Sequence, residues 1–268
     1  MTYASIMVAM DLTDGARNRV RLAGRLADDF NARLIGVAAE QPAYVVPPMG
    51  PTPASAYALA DSGETVLNDL RVAHEAFAAA AGGRNRLEWR SNLDVPVAFL
   101  AAQSAAADLV VVGRGVPGPP LFAVDPADAV MQLGRPVLVV PPDLDHLDAK
   151  RVVIGWKNTR EARRAVWDAL PFLKRASEVL VVSVDDGASS EGQDTLRLLQ
   201  AHDVSAIRVR RDAQGELVSL ALVEAAAEHG ADLIVTGAYG HGRLREWVVG
   251  GVTRELLAGA PVCCLMSH

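Results

Sequence analysis

Cysteine is nearly absent from this chain of 268 residues, which holds only the neighbours Cys263 and Cys264. Two adjacent thiols cannot staple distant segments, so a disulfide framework is excluded, as is a zinc site needing several thiolates. The six His show no ligand spacing, and neither His-Glu-x2-His nor Gly-x4-Gly-Lys-Ser/Thr occurs, so no metal ligands are assigned. No run approaches the ~18–20 uninterrupted apolar residues of a membrane span. The longest candidate, Val95–Gly113, is broken by Gln103, Ser104 and Asp108. An excess of positive charge is also missing. The net charge of −6 and pI near 5.5 argue against a nucleic-acid partner, which demands a basic footprint. The opening MTYASIMVAMD has no basic n-region or cleavage site and meets Asp11 before an apolar core can form. A cytoplasmic protein with no membrane partner is expected.

What is present is a folding chain, 50% hydrophobic and 22% charged. Its length suits two domains of about 130 residues each. An internal repeat divides it. Ile6–Asp11 (IMVAMD) matches Val152–Lys157 (VVIGWK), Ala107–Gly113 (ADLVVVG) matches Ala231–Gly237 (ADLIVTG), and Gly134–Val140 (GRPVLVV) matches Gly259–Leu265 (GAPVCCL). The first pair is offset by 146 residues and the others by 124 and 125, so the first copy holds about 22 extra residues. These are assigned to Gln41–Gly63, where Pro42, Pro47, Pro48, Pro51 and Pro53 predict a long surface loop, either a tolerated insertion or a lid or partner-binding loop. The polar stretch Pro141–Lys150 is the expected linker, giving domains at 1–145 and 150–268.

Each copy reads as alternating strands and helices. Val152–Trp156 is a continuous apolar run of the kind buried parallel strands show. A helix follows from about Arg160 with Thr159 as N-cap, its apolar stripe being Ala162, Ala165, Val166, Ala169, Leu170 and Leu173. The first copy matches with Ala16, Val20, Ala23, Ala27 and Phe30. Further strands are expected at Leu34–Ala39 and Val179–Val184, at about Leu87–Ser91 and Ser205–Arg210, at Asp232–Thr236, and at Pro136–Pro141 and Val262–Met266. The fold class is therefore α/β, two tandem doubly wound, Rossmann-like domains. The last strand of each would lie at a sheet edge, and pairing these apolar edges would make an intramolecular pseudo-dimer, with a further homodimer left open.

Ligands of such sheets bind beyond the carboxyl ends of the strands. In the second copy that edge carries Gly237-Ala-Tyr-Gly240-His241, a basic stretch with Arg243 and Arg245, then Gly250-Gly251-Val252-Thr253 opening a helix that holds Arg254. Glycines let backbone N–H groups approach an anion, and a helix N-terminus adds unpaired N–H groups. The pattern suits a phosphate, although the same glycines serve turns and a helix start equally well. The half bearing it has a net charge of −1 against −5 for residues 1–145, which favours an anion site there.

Gly-x2-Gly-x9-Gly, following a strand ADLIVTG and preceding an APV strand, resembles the universal stress protein family, and the likeness extends over nearly the whole chain as a tandem pair. The resemblance implies a five-stranded parallel sheet of order 3-2-1-4-5 in each half and, in many members, ATP binding. In binding members an Asp ending strand one meets the adenine, the end of strand two assists, and a glycine loop ending in Gly-Ser or Gly-Thr holds ribose and phosphates. Carried over, this marks Lys157, Val184, Gly237, Gly240, His241, Gly250, Gly251, Val252 and Thr253 as the binding set, with ATP, and Mg²⁺ beside it, as the cofactor. Departures are plain. Lys157 stands in the place of the adenine-side Asp, and Gly251 in that of Ser or Thr. The first copy keeps Asp11, but Gly113-Arg-Gly-Val116 lacks the second glycine and Pro126-Ala127 replaces Gly-Ser. The second copy is thus the expected site, for an adenine nucleotide or another phosphorylated small molecule, and the first a structural half.

Other features are thinner. Gly113-Arg-Gly115-Val-Pro-Gly118 mimics a dinucleotide fingerprint but follows the fourth strand and runs into Pro119-Pro120. Asp185-Asp186 is either a ribose or Mg²⁺ contact or a solvated turn. Glu246 has no base beside it, so no catalytic residue is named and any hydrolysis is expected to be slow. Cys263 and Cys264 are expected as core thiols, one facing each side of a strand. The competing reading is a nucleotide-free scaffold of the same family. A hydrolase or transferase would need a nucleophile near Gly237, and none is seen.

Overall fold

The structure is a computed structural model describing residues 2–42, 53–115, 122–184, 192–211, 217–238 and 251–268, with only the backbone of residues 53–60. Among them the first half runs β1 (Ser5–Ala9), α1 (Ala16–Phe30), β2 (Arg33–Glu40), α2 (Pro53–Ala81), β3 (Leu87–Leu93), α3 (Pro96–Gln103), β4 (Leu109–Gly113), α4 (Pro126–Gln132) and β5 (Val137–Val140). The second runs β6 (Arg151–Gly155), α5 (Arg160–Leu173), β7 (Glu178–Val184), α6 (Gln193–Ala201), β8 (Ala206–Arg211), α7 (Val218–His229), β9 (Leu233–Gly237), α8 (Gly251–Gly259) and β10 (Cys263–Ser267). The strands form one sheet of order β3-β2-β1-β4-β5-β10-β9-β6-β7-β8, which is the expected 3-2-1-4-5 arrangement followed by its mirror in sequence order.

Local chemistry explains the elements. β1 and β5 are buried at every residue, and β4 at all but Gly113, which is why their sequences are unbroken apolar runs. α5 begins where expected: the Thr159 hydroxyl accepts a hydrogen bond from the Ala162 N–H, satisfying one orphan donor of the first turn. α1 stops at Asn31, whose backbone is left-handed at φ 53° and whose N–H bonds the carbonyl oxygens of Ala27 and Asp28.

The expected loop over Gln41–Gly63 is corrected in part, because Pro53–Gly63 belongs to α2 (residues 43–52 lie outside the described set). Proline tolerates the first turn of a helix, where its missing N–H has no partner to lose. The rest of α2 is driven by packing: Val66, Leu70, Ala73, Phe77 and Ala81 recur at helical spacing and bury against β2, β3 and α1.

The halves are fused through their last strands. β5 and β10 pair antiparallel, with Cys264 opposite Val139, Leu265 opposite Leu138 and Met266 opposite Val137. All six are fully buried, each apolar side chain stabilising by about 1.5–3 kcal/mol. Fusion removes two apolar edges and leaves β3 and β8 outermost, where Glu88, Arg90, Arg208 and Arg210 discourage further pairing. Core residues of α1, α2, α5 and α6 form a layer on one face of the sheet, and those of α3, α4, α7 and α8 on the other. Cys263 joins the first layer and Cys264 the second. Burial pushes both thiols up, Cys264 to about 12, so neither is a ready thiolate. Between the halves, Tyr3, Phe30 and Phe172 meet edge-to-face at 5.1–5.5 Å, and the Tyr3 hydroxyl donates to the Asp168 carbonyl at 2.6 Å. Because the join is antiparallel, the carboxyl ends of the two sets of strands lie on opposite edges of the sheet.

Candidate functional site

In the first half, the crevice between the ends of β1 and β4 is filled by the chain itself. Arg19, on α1, is buried and points to this edge. Its Nε donates to the Ala9 carbonyl at 2.9 Å, and its Nη2 meets Asp11 Oδ2 at 2.6 Å, with side-chain exposures of only 4% and 10%. The other oxygen of Asp11 accepts from the Thr13 N–H at 2.9 Å and from the Thr13 hydroxyl. A Cβ on Gly113, at the end of β4, would lie 2.1 Å from Arg19 Nη1. The guanidinium therefore bridges the two strand ends, and Gly113 is there to admit it.

The second half builds the same edge differently. Lys157 is exposed just beyond β6, and Val184 is half-buried at the end of β7 against the second core layer. β6 lies between β7 and β9, so Lys157, Val184 and Gly237 share one sheet edge. A Cβ on Gly237 would stand 2.4 Å from the Ala162 nitrogen and 2.5 Å from the Glu161 carbonyl carbon. The start of α5 thus presses on the end of β9, and this packing alone requires glycine. α8 starts at this edge: Gly251 is exposed, Val252 half-buried and Thr253 buried. Gly240, His241, Gly250, Arg243, Arg245, Glu246 and Asp185-Asp186 lie outside the described residues. Arg254 is exposed on α8. Among the described residues no three His, Cys, Asp or Glu side chains gather as metal ligands.

Among the described residues, Glu161 is the acid of this edge. Burial pushes its carboxyl up, but hydrogen bonds from Arg160, from its own backbone N–H and from the Thr159 hydroxyl, with the Arg160 charge, outweigh that and hold it below the usual carboxylate range. Arg160 Nε donates to it directly.

A sequence profile described as the universal stress protein family matches residues 2–141 and 149–268. The chain belongs to the universal stress protein family. It is similar along its length to a universal stress protein from Archaeoglobus fulgidus DSM 4304, at 14% identity and a TM-score of 0.68, covering 98% of this chain and 96% of that one. A putative universal stress protein from Pseudomonas aeruginosa UCBPP-PA14 matches at 14% identity and a TM-score of 0.58, covering 99% and 93%. No curated protein matches the chain. At these identities the solved structures speak for the fold.

Within this universal stress protein, Asp11 is engaged by Arg19 and Thr13, so the acid that the family pattern sets against adenine is already satisfied. Sequence reading missed Arg19. The signal was available: residue 19 falls on the same helical stripe as Ala16, Val20 and Ala23, where an arginine must find a buried acid.

Proposed function

We propose that this universal stress protein binds an adenine nucleotide, or another phosphorylated small molecule, at the carboxyl edge of its second half, with ATP as the first candidate and at most slow hydrolysis. The observation that carries the reading is the contrast at one aligned position. Arg19 occupies the crevice of the first half, while its counterpart in the second, Ala165, is too short to do so. The amides opening α8 at Gly251 and Val252, at the end of the Gly237–Gly250 glycine pattern, supply donors for phosphate. ATP would be expected to carry Mg²⁺ on its phosphates; no described residue is assigned to that ion.

Isothermal titration calorimetry and thermal unfolding with ATP, ADP, AMP and phosphate test this. The wild type should bind at least one and unfold at higher temperature with it. Gly251→Val should fold normally, since the nearest atom of a described residue to its new Cβ is 3.9 Å away, and bind on the order of tenfold more weakly. No heat and no thermal shift with any of the four would favour the second reading, a nucleotide-free framework. That reading draws on Glu161, a carboxylate held ionised beside Gly237 where it would repel phosphate.

A further inference from the structure

A different place in the second half carries an unused hydrogen-bond donor. Trp156 follows β6 and is only 8% exposed, and its indole Nε1–H is buried without an acceptor among the described residues. A buried donor left unmade costs about 1–3 kcal/mol, so the site favours any acceptor that reaches it. The indole faces the start of α6. The Cβ position of Gly192, the residue before that helix, lies 3.5 Å from Trp156 Cδ1, 3.7 Å from Trp156 Nε1 and 3.6 Å from Arg208 Nε on β8. Gly192 has φ +94°, a left-handed conformation that a side chain would strain, so the backbone stays bare beside both donors. α6 adds its first-turn N–H groups and the positive end of its dipole.

The indole, the guanidinium and the first-turn amides all donate, and the one acid in the first turn of α6, Asp194, is exposed and paired with Arg197. We propose that Trp156, Arg208 and the N-terminus of α6 form a subsite for an oxyanion, the phosphate or carboxylate group of a small molecule. The indole N–H bonds one oxygen, the guanidinium brings charge, and the helix start completes the cradle. The subsite uses a different helix from the nucleotide proposal and stands without it.

The full chain, labelled with ¹⁵N, is titrated with inorganic phosphate and separately with acetate, at constant pH and at ionic strength held with chloride. The Trp156 indole ¹H–¹⁵N signal is identified by its loss in Trp156→Phe. Phosphate should move that signal downfield to saturation. Arg208→Gln should weaken the response on the order of tenfold, whereas Arg71→Gln, an exposed charge on α2 of the first half, and Gly251→Val should leave it unchanged. Saturation by acetate instead upholds the subsite and assigns it to carboxylates. An indole signal that does not move to saturation with either ion overturns the proposal. So does an equal response in Arg208→Gln that retains the wild-type melting temperature.

Discussion

At the carboxyl end of its central strand, the first half of this protein carries Asp11, Gly15 and Arg19, and the second carries Lys157, Glu161 and Ala165 in the aligned positions. The core positions between and after them agree far better: Ala16 with Ala162, Val20 with Val166, Ala23 with Ala169. In one half an arginine crosses the strand ends to a buried acid. In the other an acid sits in the first turn of α5 and the lysine faces outward. The difference teaches that the sheet and its helices do not depend on how the ligand edge is built. The edge is free to close in one copy because folding is secured by the layers beneath it.

The contrast can be broken most forcefully at Arg19. Arg19→Ala leaves Asp11 buried without its cation, and urea unfolding should show a loss of about 3–5 kcal/mol. Restoring neutrality with Asp11→Asn and Arg19→Met should recover most of it, since Asn still accepts from Thr13 and Met fills the space. If the double variant is no better than the single, the pair is not acting as a unit. Next comes the glycine ending the fourth strand of each half. Gly237→Ala drives a Cβ into the backbone of α5 and should cost about 1–3 kcal/mol, whatever its background. Gly113→Ala meets the tip of Arg19 instead, so its cost should shrink when Arg19→Met is also present. A double-mutant cycle should return a coupling of about 0.5–3 kcal/mol in the first half and none between Gly237→Ala and Arg19→Met.

Smaller effects sharpen the comparison at the helix starts. α5 has a side-chain cap and α1 has none, so Thr159→Ala should cost about 1 kcal/mol in thermal unfolding. The least is expected from acid. A carboxyl held below its ordinary value of 4.5 stabilises the fold above that pH and loses its contribution as pH falls through the folded-state value. The stability advantage of the wild type over Glu161→Gln should therefore be full near neutrality and fade below about pH 4.5, read from denaturation midpoints across pH.

Much of the frame was legible in advance. Strands such as Leu109–Gly113 and Val137–Val140 are apolar at successive residues because both faces are covered, and that pattern needs no partner to be recognised. β3 and β8 were fainter because outer strands are half-buried or exposed at every residue and so lack an unbroken apolar run. The start of α2 was hidden, since proline reads as a breaker unless it stands in a first turn, and only the backbone of the folded chain shows that Pro53 does. At the edge, residue type told only part: nothing local to Asp11 announces its pairing with Arg19, nor anything local to Gly237 its packing against the start of α5.

The sequence by itself determined the duplication, the order of strands and helices, and the apolar last strands that join the copies, because each follows from local periodicity and burial pattern. Only the tertiary structure decided that Arg19 closes one crevice, that Gly237 serves a helix, and that the Trp156 indole is left with a bond to give. Those are facts of distance between residues far apart in the chain, and no single segment encodes them.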